Sequence, residues 1–229
     1  MRKLHVLLIL IFVSSCTPFV TTTPRPSPQP VRVAYTAVLR PWVEILNQCA
    51  LEHPEIALIT IETSNTDPKF MMADVTLQFG EPPRGIPGYA ATLGQDELVI
   101  IAGPSVGLKD ISTEQLKTFY TESDTLYQAW SYPEGNELRN IFDAVVLGDS
   151  PTSPFTLLAP NPEAMLEAIT TNSLAIGYVP QSWLTAEVSK LSTEDDLHTA
   201  LQLPILALTD AEPQEGIQPF LVCLQNTKP

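Results

Sequence analysis

Two hydrophobic patterns take turns along most of the chain. Short segments that alternate apolar with polar residues, or that form a brief apolar run, predict strands at 31–35, 58–63, 74–79, 97–102, 174–179 and 204–208. Between them, apolar residues recur every three or four positions, which predicts helices. The order of the two patterns indicates an α/β architecture.

The helices are marked by spacing and by capping residues. The clearest one covers 138–146, where the apolar residues at helical spacing are Leu138, Ile141, Phe142, Val145 and Val146. Further helices are predicted over 41–52, 112–120, 161–169 and 192–201, and the last three of these begin at a Ser or Asn suited to capping. The apolar segment 220–224 fits either a helix or a strand.

The first fifteen residues have the pattern of a secretory signal. Arg2 and Lys3 precede residues 4–13, which are apolar except for His5. This run is too short for a membrane-spanning helix, which needs about 20 apolar residues. Residues 13–16 (VSSC) resemble the bacterial lipobox, in which the Cys receives diacylglycerol and becomes the mature N-terminus. We therefore predict a signal peptide over 1–15, lipidation of Cys16, and a protein anchored to the cell membrane that faces the extracytoplasmic side. The alternative is an ordinary signal peptide followed by an unrelated Cys.

Residues 16–30 are predicted to form a linker. Five Pro and four Thr lie among residues 17–30, a composition that favours extended polyproline II structure over a packed core. At about 3.1 Å per residue, such a segment holds a domain about 40 Å from the membrane.

Composition and charge narrow the range of functions. The formal net charge is −14, and removal of Arg2 and Lys3 with the signal leaves 10 basic against 26 acidic residues, a net of −16. Nucleic acid is thereby excluded as a partner, because its phosphates require basic patches. The 3 His and 3 Cys are scattered, so no metal site is predicted. No nucleophile elbow, phosphate loop or zinc-protease motif is present, and we predict no catalytic residues, no cofactor and no enzymatic activity.

Four stretches, taken in order, resemble the type II periplasmic-binding-protein fold, and within it the phosphate-binding-protein-like group. Residues 33–46 (VAYTAVLRPWVEIL) resemble its opening strand, hydroxyl-bearing turn and first helix. Residues 73–79 (ADVTLQF) resemble a short strand that carries an Asp. Residues 96–120 (DELVIIAGPSVGLKDISTEQLKTFY) resemble the crossing strand, loop and helix of the second lobe, and residues 174–180 (LAIGYVP) resemble a late strand of that lobe.

The resemblance implies two α/β lobes with a cleft between them, joined by two crossing strands. The first lobe would comprise 31–98 and 185–229, and the second 99–184. In this fold, helix starts point into the cleft, where their free N–H groups bind a small anion without any Lys. The lobes close on the ligand, and a membrane transporter recognises the closed form.

The predicted ligand site departs in part from the family pattern. The anion loop of the family reads Glu-Gly-Ser-Gly-Thr-Arg, and residues 134–139 read EGNELR. Gly135 and Arg139 match it, whereas a carboxylate that would repel phosphate stands at Glu137. The resemblance implies ligand contacts at Thr36, Ala37, Gly135, Asn136 and Arg139.

Each polar member of this set has a structural alternative. Thr36 can serve as a turn or capping residue, and Asn136 as the cap of the helix that follows. Arg139 can pair with Glu134 or Asp143 on the helix surface.

Two cysteines remain after lipidation of Cys16. In an oxidising compartment Cys49 and Cys223 can form a disulfide, because the fold returns the chain end to the first lobe. Both lie among apolar residues, so two buried free thiols are an equal alternative.

The sequence thus leads to two hypotheses of function. The first is a lipid-anchored solute-binding protein of an ABC-type importer, which binds phosphate or a related small anion and has a permease as its partner. The second is a lipoprotein that keeps the two-lobed fold as a sensor or interaction module with a degenerate ligand site.

Overall fold

The computed structural model describes residues 27–67, 70, 72–82, 88–122, 126–148, 150–214 and 216–227. Cys16, the signal segment and most of the predicted linker lie outside these residues. The strands are β1 (Gln29–Tyr35), β2 (Ile56–Glu62), β3 (Val75–Phe79), β4 (Tyr89–Ala102), β5 (Asp110–Ile111), β6 (Gln128–Ser131), β7 (Leu157–Leu158), β8 (Ala175–Pro180), β9 (Ser189–Lys190), β10 (Ser192–Thr193) and β11 (Gln202–Thr209). The α-helices are α1 (Val43–Glu52), α2 (Thr113–Thr121), α3 (Glu137–Phe142), α4 (Pro162–Thr171), α5 (Asp195–Ala200) and α6 (Ile217–Asn226). A 3-10 helix (Ala37–Trp42) precedes α1, and a π-helical segment (Asp143–Leu147) continues α3.

One sheet, in the order β2-β1-β3-β11-β4-β8-β6-β7, connects two halves of the molecule. The first lobe, as we use the term, is the half built on β1, β2, β3 and β11, and the second lobe is the half built on β6, β7 and β8. Strand β4 belongs to both: residues 89–97 pair with β11, and residues 98–102 pair with β8. The two-lobed mixed α/β fold predicted from the sequence is confirmed, and β4 is a strand that crosses between the two halves.

The second lobe is organised around β8, in which every residue is buried. Gly177 allows α4 to lie directly against this strand, because a Cβ there would come 2.5 Å from the Met165 sulfur. The Tyr178 ring stacks on Phe142, with 4.1 Å between ring centroids. The Tyr132 hydroxyl donates a hydrogen bond to the Tyr178 carbonyl. These contacts fix the start of the loop that leads into α3.

In the first lobe, helices α1 and α6 pack against each other. Cys49 on α1 and Cys223 on α6 form a disulfide in the structure, with 5.8 Å between their Cα atoms. Helix α6 is therefore attached covalently to α1.

The structure corrects one predicted element and resolves another. The helix predicted from Ser192 is wrong at its start, because Ser192 and Thr193 pair with β5 and the helix begins only at Asp195, after Glu194. The edge of β5 gives these two residues a hydrogen-bonding partner that local pattern does not reveal. The ambiguous segment 220–224 is helical and lies within α6.

None of the helices in the described part of the chain combines the length and the apolar character needed to cross a membrane.

Candidate functional site

The first-lobe side of the site begins where β1 ends. Thr36 has extended backbone angles and precedes the 3-10 helix, and its side chain makes no capping hydrogen bond to that helix. The Thr36 carbonyl accepts a hydrogen bond from Leu39 N–H instead, and its buried hydroxyl points toward the second lobe. The capping alternative for the Thr36 side chain is therefore not the arrangement found.

The second-lobe side is the turn that leads into α3. Gly135 has a φ of +82°, a conformation that glycine adopts without strain. Asn136 caps α3, because its side-chain oxygen accepts a hydrogen bond from Leu138 N–H at 2.9 Å. The structure therefore shows the capping alternative for the Asn136 side chain, although the residue also lines the space between the lobes.

Glu137, the first residue of α3, links the two sides. Its carboxylate accepts one hydrogen bond from the Thr36 hydroxyl and another from the Phe79 backbone N–H. Only 8% of the residue is exposed. Burial raises the pKa of the carboxyl group to about 7, and the two hydrogen bonds oppose that rise only in part. Glu137 thus changes its protonation state near neutral pH.

A cavity of about 370 Å³, which we call the cleft, lies between the lobes at this point. The first lobe contributes 36–38 and 62–66 to its lining, and the second contributes 133–137 and 160–162. Among the described residues that line the cleft there is no Lys or Arg, whereas Glu62, Glu134 and Glu137 bring carboxylates. Any anion in the cleft would have to rely on hydroxyl, amide and backbone N–H donors.

A second cavity, of about 400 Å³, adjoins the cleft. Glu137 and Asn65 line both cavities and so form the partition between them. The second cavity also has aromatic walls, at Phe70, Phe79 and Tyr89.

Further contacts join the lobes around the cleft. Arg40 Nη1 lies 2.9 Å from Glu163 Oε2, at the start of α4, and the same guanidinium binds Glu62. The Asn65 amide donates a hydrogen bond to the Gly135 carbonyl at 3.3 Å. The chain's own side chains thus bridge the cleft at Thr36–Glu137, Asn65–Gly135 and Arg40–Glu163, among other contacts.

Solved structures similar to this one include phosphate-transport proteins and a regulatory domain. A putative phosphate ABC transporter substrate-binding protein with bound phosphate, from Clostridium perfringens, superposes with a TM-score of 0.73 at 15% identity, over 86% of this chain and 93% of that one. An ABC-type phosphate transport receptor from Vibrio cholerae gives 0.66 at 16% identity, over 86% and 94%. The CcmR regulatory domain of Synechocystis PCC6803 in complex with 2-PG gives 0.64 at 19% identity, over 86% and 96%. No family model and no curated relative matches the chain.

The chain has the type II periplasmic-binding-protein fold. The fold predicted from the four sequence stretches is confirmed by this likeness, which at such low identity concerns the fold alone.

Within this type II fold, the predicted ligand residues lie in two places. Thr36, Ala37, Gly135 and Asn136 all line the cleft. Arg139 does not: its guanidinium binds Asp143, the Tyr132 carbonyl and the Thr152 hydroxyl. The structure therefore shows the pairing of Arg139 with Asp143 that was the alternative to a ligand contact.

Sequence reasoning missed other cleft residues of the type II fold. Ser64 and Asn65 follow β2, and Asn161 precedes α4. A signal for the first two existed, because parallel strands β1 and β2 end at the same edge of the sheet and ligands bind in crevices at that edge. Asn161 was predicted only as a helix cap, which it also is, since its side chain accepts a hydrogen bond from Ala164 N–H.

Proposed function

We propose that this protein is a lipid-anchored, extracytoplasmic solute-binding protein of an ABC-type importer, which takes phosphate or a related small anion into the cleft. The observation that carries the proposal is the cleft itself, which lies between the lobes of a type II fold. A hydroxyl from Thr36 and polar side chains from Ser64, Asn65 and Asn161 line it. A volume of about 370 Å³ suits a small solute.

The N-terminal sequence supports the location. Cys16 follows a signal-like segment and precedes a Pro- and Thr-rich linker, so lipidation there would tether the folded part outside the membrane. The strongly negative charge of the mature chain does not favour direct adhesion to anionic lipid. The lipid is therefore the contact with the membrane in this proposal.

The likeness to the Clostridium perfringens protein, described with bound phosphate, supports a small anion as the ligand. The lining of the cleft limits the mode of binding, because it lacks basic side chains among its described residues. The ligand would be held by neutral donors, each worth about 1.5–3 kcal/mol against a charged acceptor, and no cationic side chain would add its charge. We therefore expect weaker binding than in a site that has a guanidinium clamp.

Calorimetry and thermal shift on the mature protein, with phosphate, sulfate, molybdate and small carboxylates as probes, test the proposal. A binder among these probes should lose its affinity in Ser64→Trp, which places bulk in the cleft wall. The matched control is Ser189→Trp, an equal change at an exposed position on β9, and it should bind like the parent. If no probe binds, or if both variants bind like the parent, the cleft is not an anion site.

A second function is favoured by one observation. The hydrogen bond between Thr36 and Glu137 already occupies cleft donors, and the CcmR regulatory domain shows that the fold also serves in regulation. A lipoprotein that works as a sensor or interaction module, without transport, fits these facts. Solute uptake in cells lacking the gene separates the two functions, since only the transport function predicts a loss of uptake.

A further inference from the structure

The cleft donors of the first lobe are engaged by the protein's own carboxylate. The Thr36 hydroxyl leaves its own helix uncapped and reaches a residue 101 positions away on the other lobe. The Phe79 N–H, at the end of β3, donates to the same carboxylate. Two donors from separate strand ends thus converge on one anionic group, as they would on a bound oxyanion.

We propose that Glu137 acts as an internal anion: it occupies the donors of Thr36 and Phe79, holds the lobes together, and must be displaced or protonated before an external oxyanion can use them. The inference rests on the proposed function, because it concerns the same cleft.

The charge on Glu137 affects how readily an external anion can bind. An ionised Glu137 repels an incoming anion strongly, because both would lie in a buried region of low effective dielectric constant. A protonated Glu137 removes that repulsion and can donate a hydrogen bond to the anion. Binding of an external anion is therefore accompanied by proton uptake.

Other titratable and charged side chains lie around Glu137. The titratable side chains that line the cavities on its two sides are Glu62, Glu134, Glu81, Tyr89 and Asp210, and Arg40 pairs with Glu62 at the edge of the cleft. The pKa of Glu137 is set by burial, by the Thr36 hydroxyl and by the Phe79 N–H. Above pH 7, where the free protein carries the ionised form, one proton per anion makes the affinity about tenfold stronger for each unit that the pH falls. Below pH 7 the dependence flattens.

The first measurement is calorimetry with sulfate from pH 5.5 to 8.5, a range over which the charge of sulfate is constant. Glu137→Ala frees both donors and should bind sulfate at least about tenfold more tightly than the parent at pH 8, with no pH dependence. Glu134→Gln is the control, because it removes one exposed carboxylate from the same cleft. It should stay within about twofold of the parent, as expected for an exposed charge in high dielectric.

The second measurement needs no ligand. Small-angle scattering, or spin labels on the two lobes, reports the distance between them. Glu137→Ala should separate the lobes. Glu137→Gln should keep them together, since its amide oxygen can still accept from Thr36 and Phe79. Comparing the two variants also distinguishes a folding defect from the loss of the contact between the lobes, because Glu137→Gln preserves the size and shape of the side chain.

The outcomes distinguish the inference from the proposed function. Stronger, pH-independent sulfate binding by Glu137→Ala, with a pH-dependent parent, supports the inference. Equal affinity and equal pH dependence in the two proteins overturns it and leaves the anion-binding function standing. If neither the parent nor any variant binds an anion, the proposed function fails. The inference is then decided by the distance between the lobes. A wider distance in Glu137→Ala than in the parent supports the inference, and an unchanged distance overturns it.

Discussion

Arg139 Nε lies 2.8 Å from Asp143 Oδ2, one turn further along the same helical segment. The other guanidinium nitrogens reach the Tyr132 carbonyl at 3.0 Å and the Thr152 hydroxyl at 2.8 Å. One side chain thereby connects the turn before α3 to the chain that follows it. Arg139 thus stabilises the second-lobe wall of the cleft without lining the cleft itself.

A substitution of Arg139 should therefore affect stability and not ligand contact. Arg139→Ala leaves the Asp143 carboxylate and the Tyr132 carbonyl without this donor, and should lower the free energy of unfolding by about 1–3 kcal/mol. Affinity for any anion that binds the parent should change by less than about threefold, because the guanidinium does not line the cleft. Urea unfolding and calorimetry on the same sample check both statements. A large loss of affinity at unchanged stability would place Arg139 in contact with ligand.

The raised pKa of Glu137 predicts that the free energy of unfolding falls as the pH rises. Its pKa is about 7 in the folded protein against an ordinary value of 4.5, so between these values the folded state binds more protons than the unfolded state. The contribution of this group to the free energy of unfolding is therefore lost as pH rises through that window, by a total of about 3 kcal/mol. Glu137→Gln cannot ionise and should escape the loss. The free energy of unfolding of parent and variant is measured with urea at pH 5 and pH 8. From pH 5 to pH 8 the stability of the variant relative to the parent should increase. If the difference in free energy of unfolding is the same at both pH values, the raised pKa is contradicted.

The Cys49–Cys223 disulfide should stabilise the folded protein. It joins two residues that are 174 positions apart in sequence, and closing a loop of that size is worth about 5 kcal/mol in the chain-entropy model. Labelling of the unfolded, unreduced mature domain should detect no free thiol at these positions. The double variant Cys49→Ser, Cys223→Ser should unfold at lower urea than the oxidised parent and at about the same urea as the reduced parent. Two labelled thiols in the unreduced protein would show that the bridge does not form.

Cys16 should determine where the protein resides. Because Cys16 ends a signal-like segment, its replacement by Ala should release the protein from the membrane fraction. Fractionation followed by immunoblotting measures the change, with Cys223→Ser as a control that should remain at the membrane. Retention of the Cys16→Ala protein would show that the anchor lies elsewhere.

The strand and helix order was predictable because it depends on local periodicity. The helix over 138–146 shows this best, since its buried face follows from the spacing of its apolar residues, and β8 follows from a continuous apolar run. Gly135 and Asn136 were also predicted at the ligand site, through the resemblance of residues 134–139 to the anion loop of the family, and both line the cleft.

The contact between Thr36 and Glu137 could not be predicted from the sequence. Glu137 was recognised as a departure that would repel phosphate, but its hydroxyl partner lies on another lobe and the burial that shifts its pKa depends on how the lobes meet. The partner of the Arg139 guanidinium could not be predicted from the sequence either. A carboxylate at i+4, such as Asp143, and an anionic ligand in the cleft attract a guanidinium in the same way.

The bond between α1 and α6 also changes the topology of the chain. Residues 49–223 form a covalently closed ring that contains all of the second lobe, and only the residues before Cys49 and after Cys223 remain as open tails. A single cut anywhere in the ring opens it without releasing a fragment. A lipid tether at the N-terminal tail would therefore keep hold of both lobes after such a cut, for as long as the bridge stays oxidised.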